Sequence, residues 1–339
     1  MTDTQQGPAT GAAVQTAAEP SQFPPTPSPS PVTPSGQAPA QEPQSRAGRN
    51  LPAAIAVGVV LLAVVGASLA FRPEPFVVFV VVAIGAAVLW ELPAAFATAG
   101  IRLTTAPLFV GGSAMIVTAF TSTGQGLLFA YMATLLAIVV WRLCDSRSPD
   151  GIRRDVLASM FAATWLPLLA GFIILILVQH SQPGQLGGNW RVAMFILLAV
   201  ASDTGGYIAG VLFGKHPMAP TVSPKKSWEG FAGSVILTAL VGFFGARWVF
   251  AVPWVPGSAS AHPVFGSALT LGLVLGVMLA TTATMGDLAE SLIKRDLGLK
   301  DMGSLLPGHG GVLDRVDSIL VSAPFVYAVF SIATVYGVQ

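Results

Sequence analysis

The stretch from Val156 to Val178, VLASMFAATWLPLLAGFIILILV, decides what kind of fold this chain can adopt. It carries no charged side chain and exceeds the roughly 20 residues that a helix needs to cross a hydrocarbon core of about 30 Å. Working outward, eight more blocks of similar character lie at roughly 52 to 71, 75 to 99, 105 to 121, 126 to 143, 190 to 213, 229 to 251, 264 to 285 and 315 to 337. The expected fold is therefore an all-α, polytopic integral membrane protein with about nine transmembrane helices. The third and fourth blocks are short and glycine-rich (Gly111-Gly112, Gly124-Gln125-Gly126), which admits either tight pairing or a re-entrant segment.

Composition agrees. Of the 339 residues 53% are hydrophobic and 10% charged, against about 25% charged in a soluble domain, so the chain lacks the polar surface a water-soluble fold needs. Residues 1 to 50 differ: they are rich in Pro, Ala, Ser and Gln, and are expected to form a disordered cytosolic tail rather than a secretory leader. The expected division is that tail, N-terminal transmembrane helices over 51 to 200, and a catalytic region with cytosolic loops over 201 to 339. The single cysteine, Cys144, is expected to be a half-buried, chemically idle thiol.

Lysine and arginine are retained on the cytosolic side of membranes, and this sets the orientation. With the loop after the eighth block inside, only Arg72, Arg191 and Arg247 of the 17 basic residues fall outside. The amino terminus is then cytosolic, and the loops at 179 to 189 and 252 to 263 face outward. The net charge of +1 carries no nucleic-acid footprint.

Chemistry concentrates in the second half. Asp203, Glu229, Asp287, Glu290, Asp296, Asp301, Asp314 and Asp317 lie on or beside the cytosolic loops after blocks six and eight, among most of the basic residues. Carboxylates near a membrane are costly unless paired or bound to metal, and a mid-helix aspartate such as Asp203 costs about 2.5 to 3.5 kcal/mol to insert. Asp314 and Asp317, three apart, share a face at the start of the last helix, where the helix dipole favours anions. Asp287, Glu290, Ser291 and Lys294 form one helical stripe that offers a metal ligand and a cation; an ordinary Glu290 to Lys294 ion pair explains it equally well. Lys225 and Lys226, followed by Ser227, Trp228 and Glu229, put two ammonium groups beside a helix start that Ser227 can cap, suited to phosphate or to anionic lipid headgroups. The glycines around His309 (Gly308, Gly310, Gly311) permit a backbone nest for phosphate. His309 is expected to position or stabilise charge rather than to act as an obligatory base, because a phosphate monoester is already ionised at neutral pH. His180, His216 and His262 lack ligand spacing and are expected to be solvated.

The stretch Ser291-Leu-Ile-Lys294-Arg295, then Lys300-Asp301, then Pro307-Gly-His309-Gly310-Gly311-Val-Leu-Asp314-Arg315-Val-Asp317 resembles the signature of the phosphatidate cytidylyltransferase family, also called CDP-diacylglycerol synthases. The likeness continues upstream through Gly286-Asp287, Ser223-Pro-Lys225-Lys226-Ser227-Trp228-Glu229-Gly230, Ser202-Asp203-Thr204-Gly205-Gly206-Tyr207 and Gly214-Lys215. It departs mildly at Gly206, often alanine in the family, and at Ser227, often threonine.

The resemblance implies transfer of CMP from CTP to phosphatidic acid, giving CDP-diacylglycerol and pyrophosphate, with Mg2+ as cofactor and a second cation left open. It implies a metal role for Asp287, Asp314 and Asp317, and catalytic roles for these with Lys294, Arg295 and His309. Binding of CTP or lipid phosphate falls to Asp203, Lys215, Ser223, Lys225, Lys226, Ser227, Glu229, Ser291, Lys300, Asp301, Gly310, Gly311 and Arg315. The expected partners are CTP, phosphatidic acid and membrane lipid, with a homodimer left open, and the expected location is the plasma membrane with the site facing the cytosol. Rival readings are a cation or proton transporter, a CTP-dependent lipid kinase and a non-catalytic lipid binder. The transporter explains least, because Lys294, Arg295, Lys300, His309 and Arg315 would oppose cation occupancy.

Overall fold

The structure of the protein, a computed structural model, describes residues 51–70, 72–144, 149–255, 265–299, 301–303 and 311–336. The tail expected over 1 to 50 lies outside the described residues, as do His262, Lys300, His309, Gly310 and the side chain of Lys225. Helices α1 (Leu51–Ala70), α2 (Glu74–Ala86) and α3 (Leu92–Ala97) are followed by α4 (Thr105–Leu143), α5 (Pro149–Ala163) and α6 (Leu169–Leu177). Then come α7 (Gly188–Phe213), a hairpin of β1 (Pro217–Ala219) and β2 (Ser223–Ser227), α8 (Trp228–Val249), α9 (Ala268–Asp296) and α10 (Leu313–Tyr336). The fold is helical as expected; the antiparallel hairpin, with Pro217 opposite Ser227 and Ala219 opposite Ser223, is an addition.

Two helices are widened by a π-helical turn, and both turns coincide with proline. Ala87–Glu91 joins α2 to α3 just before Pro93, and Thr164–Leu168, which contains Pro167, joins α5 to α6. Proline lacks the N–H that closes an α-turn, and a π-turn lets the helix continue past that gap. The first of these turns brings Glu91 into the protein interior, at 4% exposure.

Among the described residues, seven helices are long and apolar enough to cross a membrane: Glu74–Ala97, Thr105–Leu143, Gly151–Leu177, Gly188–Phe213, Trp228–Val249, Ala268–Asp296 and Leu313–Val335. The chain is a multi-pass membrane protein. The expected third and fourth blocks both fall in α4, whose helical path breaks at Thr123 (φ 59°, ψ −150°). Gly111 lies directly against Thr134, so the two legs of α4 run side by side, and Arg142 at its far end returns to donate to the Arg102 carbonyl.

Contacts between distant segments define two ends. At one end Arg142 pairs with Asp155 at 3.6 Å, the Arg102 N–H donates to Asp155 at 2.8 Å, and the Thr98 hydroxyl donates to the Leu297 carbonyl at 3.2 Å. The β-hairpin, the start of α8, the end of α9 and the start of α10 share this end, which gathers most of the described basic residues. At the opposite end the Asn189 amide donates to the Leu69 carbonyl at 2.8 Å, and the Leu186 N–H to the Val249 carbonyl at 2.9 Å.

Two of the three basic residues expected on the far side have a local explanation there. Arg247 stacks over the Trp254 ring at 5.7 Å, and Arg191, fully buried, stacks over Phe250 at 5.2 Å. Arg191 also donates to Gln179 Oε1 at 3.3 Å, the His180 carbonyl at 3.2 Å and Gln185 Oε1 at 3.0 Å, which pins the loop before α7. Arg191→Met is expected to lose about 3 kcal/mol, since acceptors buried around the guanidinium lose their donor. The check is a lower midpoint of thermal unfolding in detergent with turnover retained by the folded fraction.

Helix α8 approaches α7 and α9 closely where glycines face the neighbouring backbone. Gly205 of α7 lies against the Gly233 carbonyl of α8, and Gly242 of α8 lies against Gly272 of α9. Such small-residue seams let helix backbones approach closely where lipid supplies no hydrophobic drive for association.

Candidate active site

The close seam continues between α9 and α10 and sets the site. A Cβ on Gly286 would stand 3.0 Å from the Asp317 carbonyl and 3.2 Å from the Ser318 Cα, so a larger residue would push the two helices apart by a few tenths of an ångström at this level. One turn of α9 then presents Asp287 and Glu290 to Asp317 on α10. Ligand oxygens of Asp287, Glu290 and Asp317 lie within 4.8 Å of one another, with Glu290 and Asp317 buried. Three carboxylates so close repel unless a cation or a shared proton lies among them. The Glu290 Oε1 atom is fully buried without a hydrogen-bond partner among the described residues. That orphaned oxygen and the all-carboxylate donor set fit a hard divalent cation, which takes oxygen ligands.

Lysines meet this cluster from two sides. The Lys226 ammonium pairs with Asp287, where both side chains are partly open to solvent. Lys294 Nζ lies 3.0 Å from Glu290 and 3.1 Å from Asp314, with side-chain exposures of 17%, 2% and 6%. The Glu290 to Lys294 ion pair weighed from the sequence is therefore present, and Glu290 belongs to the acidic cluster as well. Asp314, expected beside Asp287 and Asp317, meets the cluster through Lys294. Its carboxylate also accepts from the Met302 N–H at 3.1 Å and the Gly311 N–H at 2.9 Å.

Beside the cluster a cleft of about 320 Å³ opens between α7, α8 and α9, lined by Asp203, Tyr207, Lys226, Ser227, Thr284 and Asp287 among others. Its size is that of a small-ligand site. Asp203 is an exposed carboxylate on the cleft wall. Ser227 caps α8, its hydroxyl accepting from the Gly230 N–H at 3.1 Å. Glu229 is turned to the hairpin: it accepts from the N–H groups of Lys215 and His216, each at 3.2 Å, and meets the His216 ring nitrogen at 2.5 Å. His216, expected to be merely solvated, is exposed but paired. Ser223 begins β2 and Ser291 is half-buried on α9, while Lys215, Arg295, Asp301 and Arg315 are exposed. Gly311 is buried at the neck of the signature loop, and Cys144 is exposed rather than half-buried.

The arrangement can thus hold a cation against an anionic ligand at one end of the apolar helices. A family model described as the cytidylyltransferase family matches residues 52–333. The chain belongs to that family. It is 39% identical over 308 residues to a phosphatidate cytidylyltransferase of Mycobacterium bovis, covering 87% of this chain and 93% of the relative. A phosphatidate cytidylyltransferase of Mycobacterium leprae is 40% identical over 293 residues, covering 82% and 86%. One of Haemophilus influenzae is 34% identical over 175 residues, covering 51% and 57%. The matched family region starts where the proline-rich tail ends.

Two acidic residues of this cytidylyltransferase stand out beyond the sequence-predicted set. Glu290 was visible in the α9 stripe but had a sufficient explanation in Lys294. Glu91, buried at the π-turn before α3, accepts from the N–H of Val312 at 2.7 Å and of Leu313 at 3.1 Å, 222 residues away. Its signal was available: it is the sole acid in the apolar block from 75 to 99.

Proposed function

We propose that the chain transfers CMP from CTP to phosphatidic acid, forming CDP-diacylglycerol and releasing pyrophosphate, in the cell membrane with the basic end in the cytosol. One observation carries this reading: Asp287, Glu290 and Asp317 converge beside Lys226 at the mouth of a cleft, in a chain of the cytidylyltransferase family. The relatives named phosphatidate cytidylyltransferase supply the substrates. The clustering of basic residues at the site end supports a cytosolic face, because positive charge is retained there.

A phosphate oxygen of phosphatidic acid attacks the α-phosphorus of CTP; the bond from that phosphorus to the bridging oxygen breaks, and pyrophosphate leaves with the electron pair. The lipid phosphate is already ionised, so no residue has to take a proton from it. Asp287, Glu290 and Asp317 would hold Mg2+, which when bound neutralises charge on the triphosphate and on the departing pyrophosphate. Asp314 is the remaining candidate ligand, adjacent through Lys294. Lys226, at the cleft rim beside Asp287, is placed to meet a phosphate oxygen, and Lys294 holds Glu290 and Asp314 in fixed relation. Asp203, Tyr207 and Ser227 line the cleft in which the nucleotide or the lipid headgroup sits. Lys225, Lys300, His309, Arg295 and Arg315 keep the phosphate-binding and charge-stabilising roles that the resemblance implies.

Purified protein given CTP, Mg2+ and phosphatidic acid is expected to yield CDP-lipid and pyrophosphate in equal amounts, and a chelator is expected to stop it. Phosphorylated lipid with CDP would point to a CTP-dependent kinase, and the absence of any CTP-dependent product would overturn the enzymatic reading.

A further inference from the structure

We propose that Glu91 is a positioning residue for the active site, a carboxylate lent by the N-terminal helices to hold the neck of the signature loop; this rests on the reading of that loop as catalytic. Helix α10 begins at Leu313, and the first N–H groups of any helix have no partner within it. Here the N–H of Leu313 and those of the two residues before it are met internally: Val312 and Leu313 donate to the two oxygens of Glu91, and Gly311 donates to Asp314. An anion at a helix start is also favoured by the helix dipole. The start of α10, where the sequence led us to expect anions, is therefore occupied by the protein's own carboxylates. The negative charge of the substrate is left to the basic residues and to a cation held by the acidic cluster.

The same carboxylate is enclosed by both strands of the neck. A Cβ added to Gly303 would stand 2.8 Å from the Glu91 carboxyl, and one added to Gly311 would stand 2.9 Å from Glu91 Oε2 and 3.0 Å from the Gly303 nitrogen. Asp314 closes the neck from the other side by accepting from both Met302 and Gly311. Leu92 and Phe96, in the helix that follows Glu91, lie with Ile293, Met302 and Leu313 around a cavity of only about 10 Å³ that Glu290 also lines. Any shift of Glu91 thus moves the start of α10, which carries Asp314, and through Lys294 it moves Glu290. Positioning groups of this kind alter affinity or rate by about 10- to 100-fold when changed.

The test uses the full chain in lipid nanodiscs, with steady-state kinetics and hydrogen–deuterium exchange on wild type and Glu91→Gln. Glutamine keeps the shape, but its amide nitrogen turns a donor toward an N–H, so one of the two bonds is lost. The expected result is a fall in kcat of about 10- to 100-fold with KM for phosphatidic acid unchanged, and faster exchange confined to peptides over 301–303 and 311–314. Unchanged kcat, or a loss of activity accompanied by faster exchange throughout the helices, overturns the proposal. Should Glu91→Gln fail to fold, Gly303→Ala presses on the same carboxyl without altering charge and is judged by the same readouts. Absence of CTP turnover in the wild type would refute the functional reading alone, since exchange at the neck still reports whether Glu91 holds it.

Discussion

Asp287→Asn is expected to lower CDP-diacylglycerol formation by about a thousandfold, the equivalent of about 4 kcal/mol of transition-state stabilisation, and to leave the thermal midpoint nearly unchanged. The two halves of this expectation have separate causes. The Asp287 side chain is 42% exposed and its ion pair with Lys226 is open to solvent, so its contribution to stability is on the order of 0–1 kcal/mol. Its contribution to chemistry is large because it supplies one of three hard oxygens that converge from α9 and α10. Asparagine keeps the size and removes the charge. Initial rates measured across a Mg2+ series would show a raised metal requirement together with the lowered maximum. Wild-type rates at ordinary Mg2+ would remove Asp287 from the metal site.

Lys294→Met is expected to fail in the other direction as well, losing both turnover and stability. Lys294 sits between the carboxylates of Glu290 and Asp314, which are 2% and 6% exposed. Removing the cation leaves two buried anions facing each other, and breaking a buried pair from one side costs about 3–5 kcal/mol. The melting midpoint in detergent would fall well below that of wild type, and the folded fraction would turn over at least tenfold more slowly because Glu290 and the loop neck lose their common anchor. Lys294→Arg is expected to restore most of the stability but not the rate, since a planar fork cannot occupy the place of a compact ammonium between the two oxygens. A Lys294→Met variant with wild-type melting would show that Asp314 and Glu290 are held by other means.

These expectations differ in how much of their basis could be read from residue order. The helical, membrane-spanning character of the chain was plain from uninterrupted apolar blocks, because lipid forces every backbone polar group to be satisfied within its own segment. The capping of α8 by Ser227 was likewise legible, since a cap depends on neighbours three residues apart. The two legs of α4 were harder. Separate apolar blocks were visible, and the break at Thr123 falls in the Thr-, Ser- and Gly-rich gap between them, but that gap alone does not say that the two legs fold back side by side. The β-hairpin had no alternating pattern to announce it; prolines and the anchoring of Lys215 and His216 by Glu229 shape it.

Residue spacing by itself determined which carboxylates share a helix face: Asp287 with Glu290, and Asp314 with Asp317. Helical periodicity is a local property and needs no knowledge of the partner helix. Only the tertiary structure decided which faces meet. The close approach at Gly286 brings Asp287 and Glu290 to Asp317, turns Asp314 toward Lys294 and the loop neck, and leaves the start of α10 to Glu91 from a helix more than two hundred residues earlier. Convergence across helices depends on the depth and angle of packing, quantities that no spacing along the chain encodes.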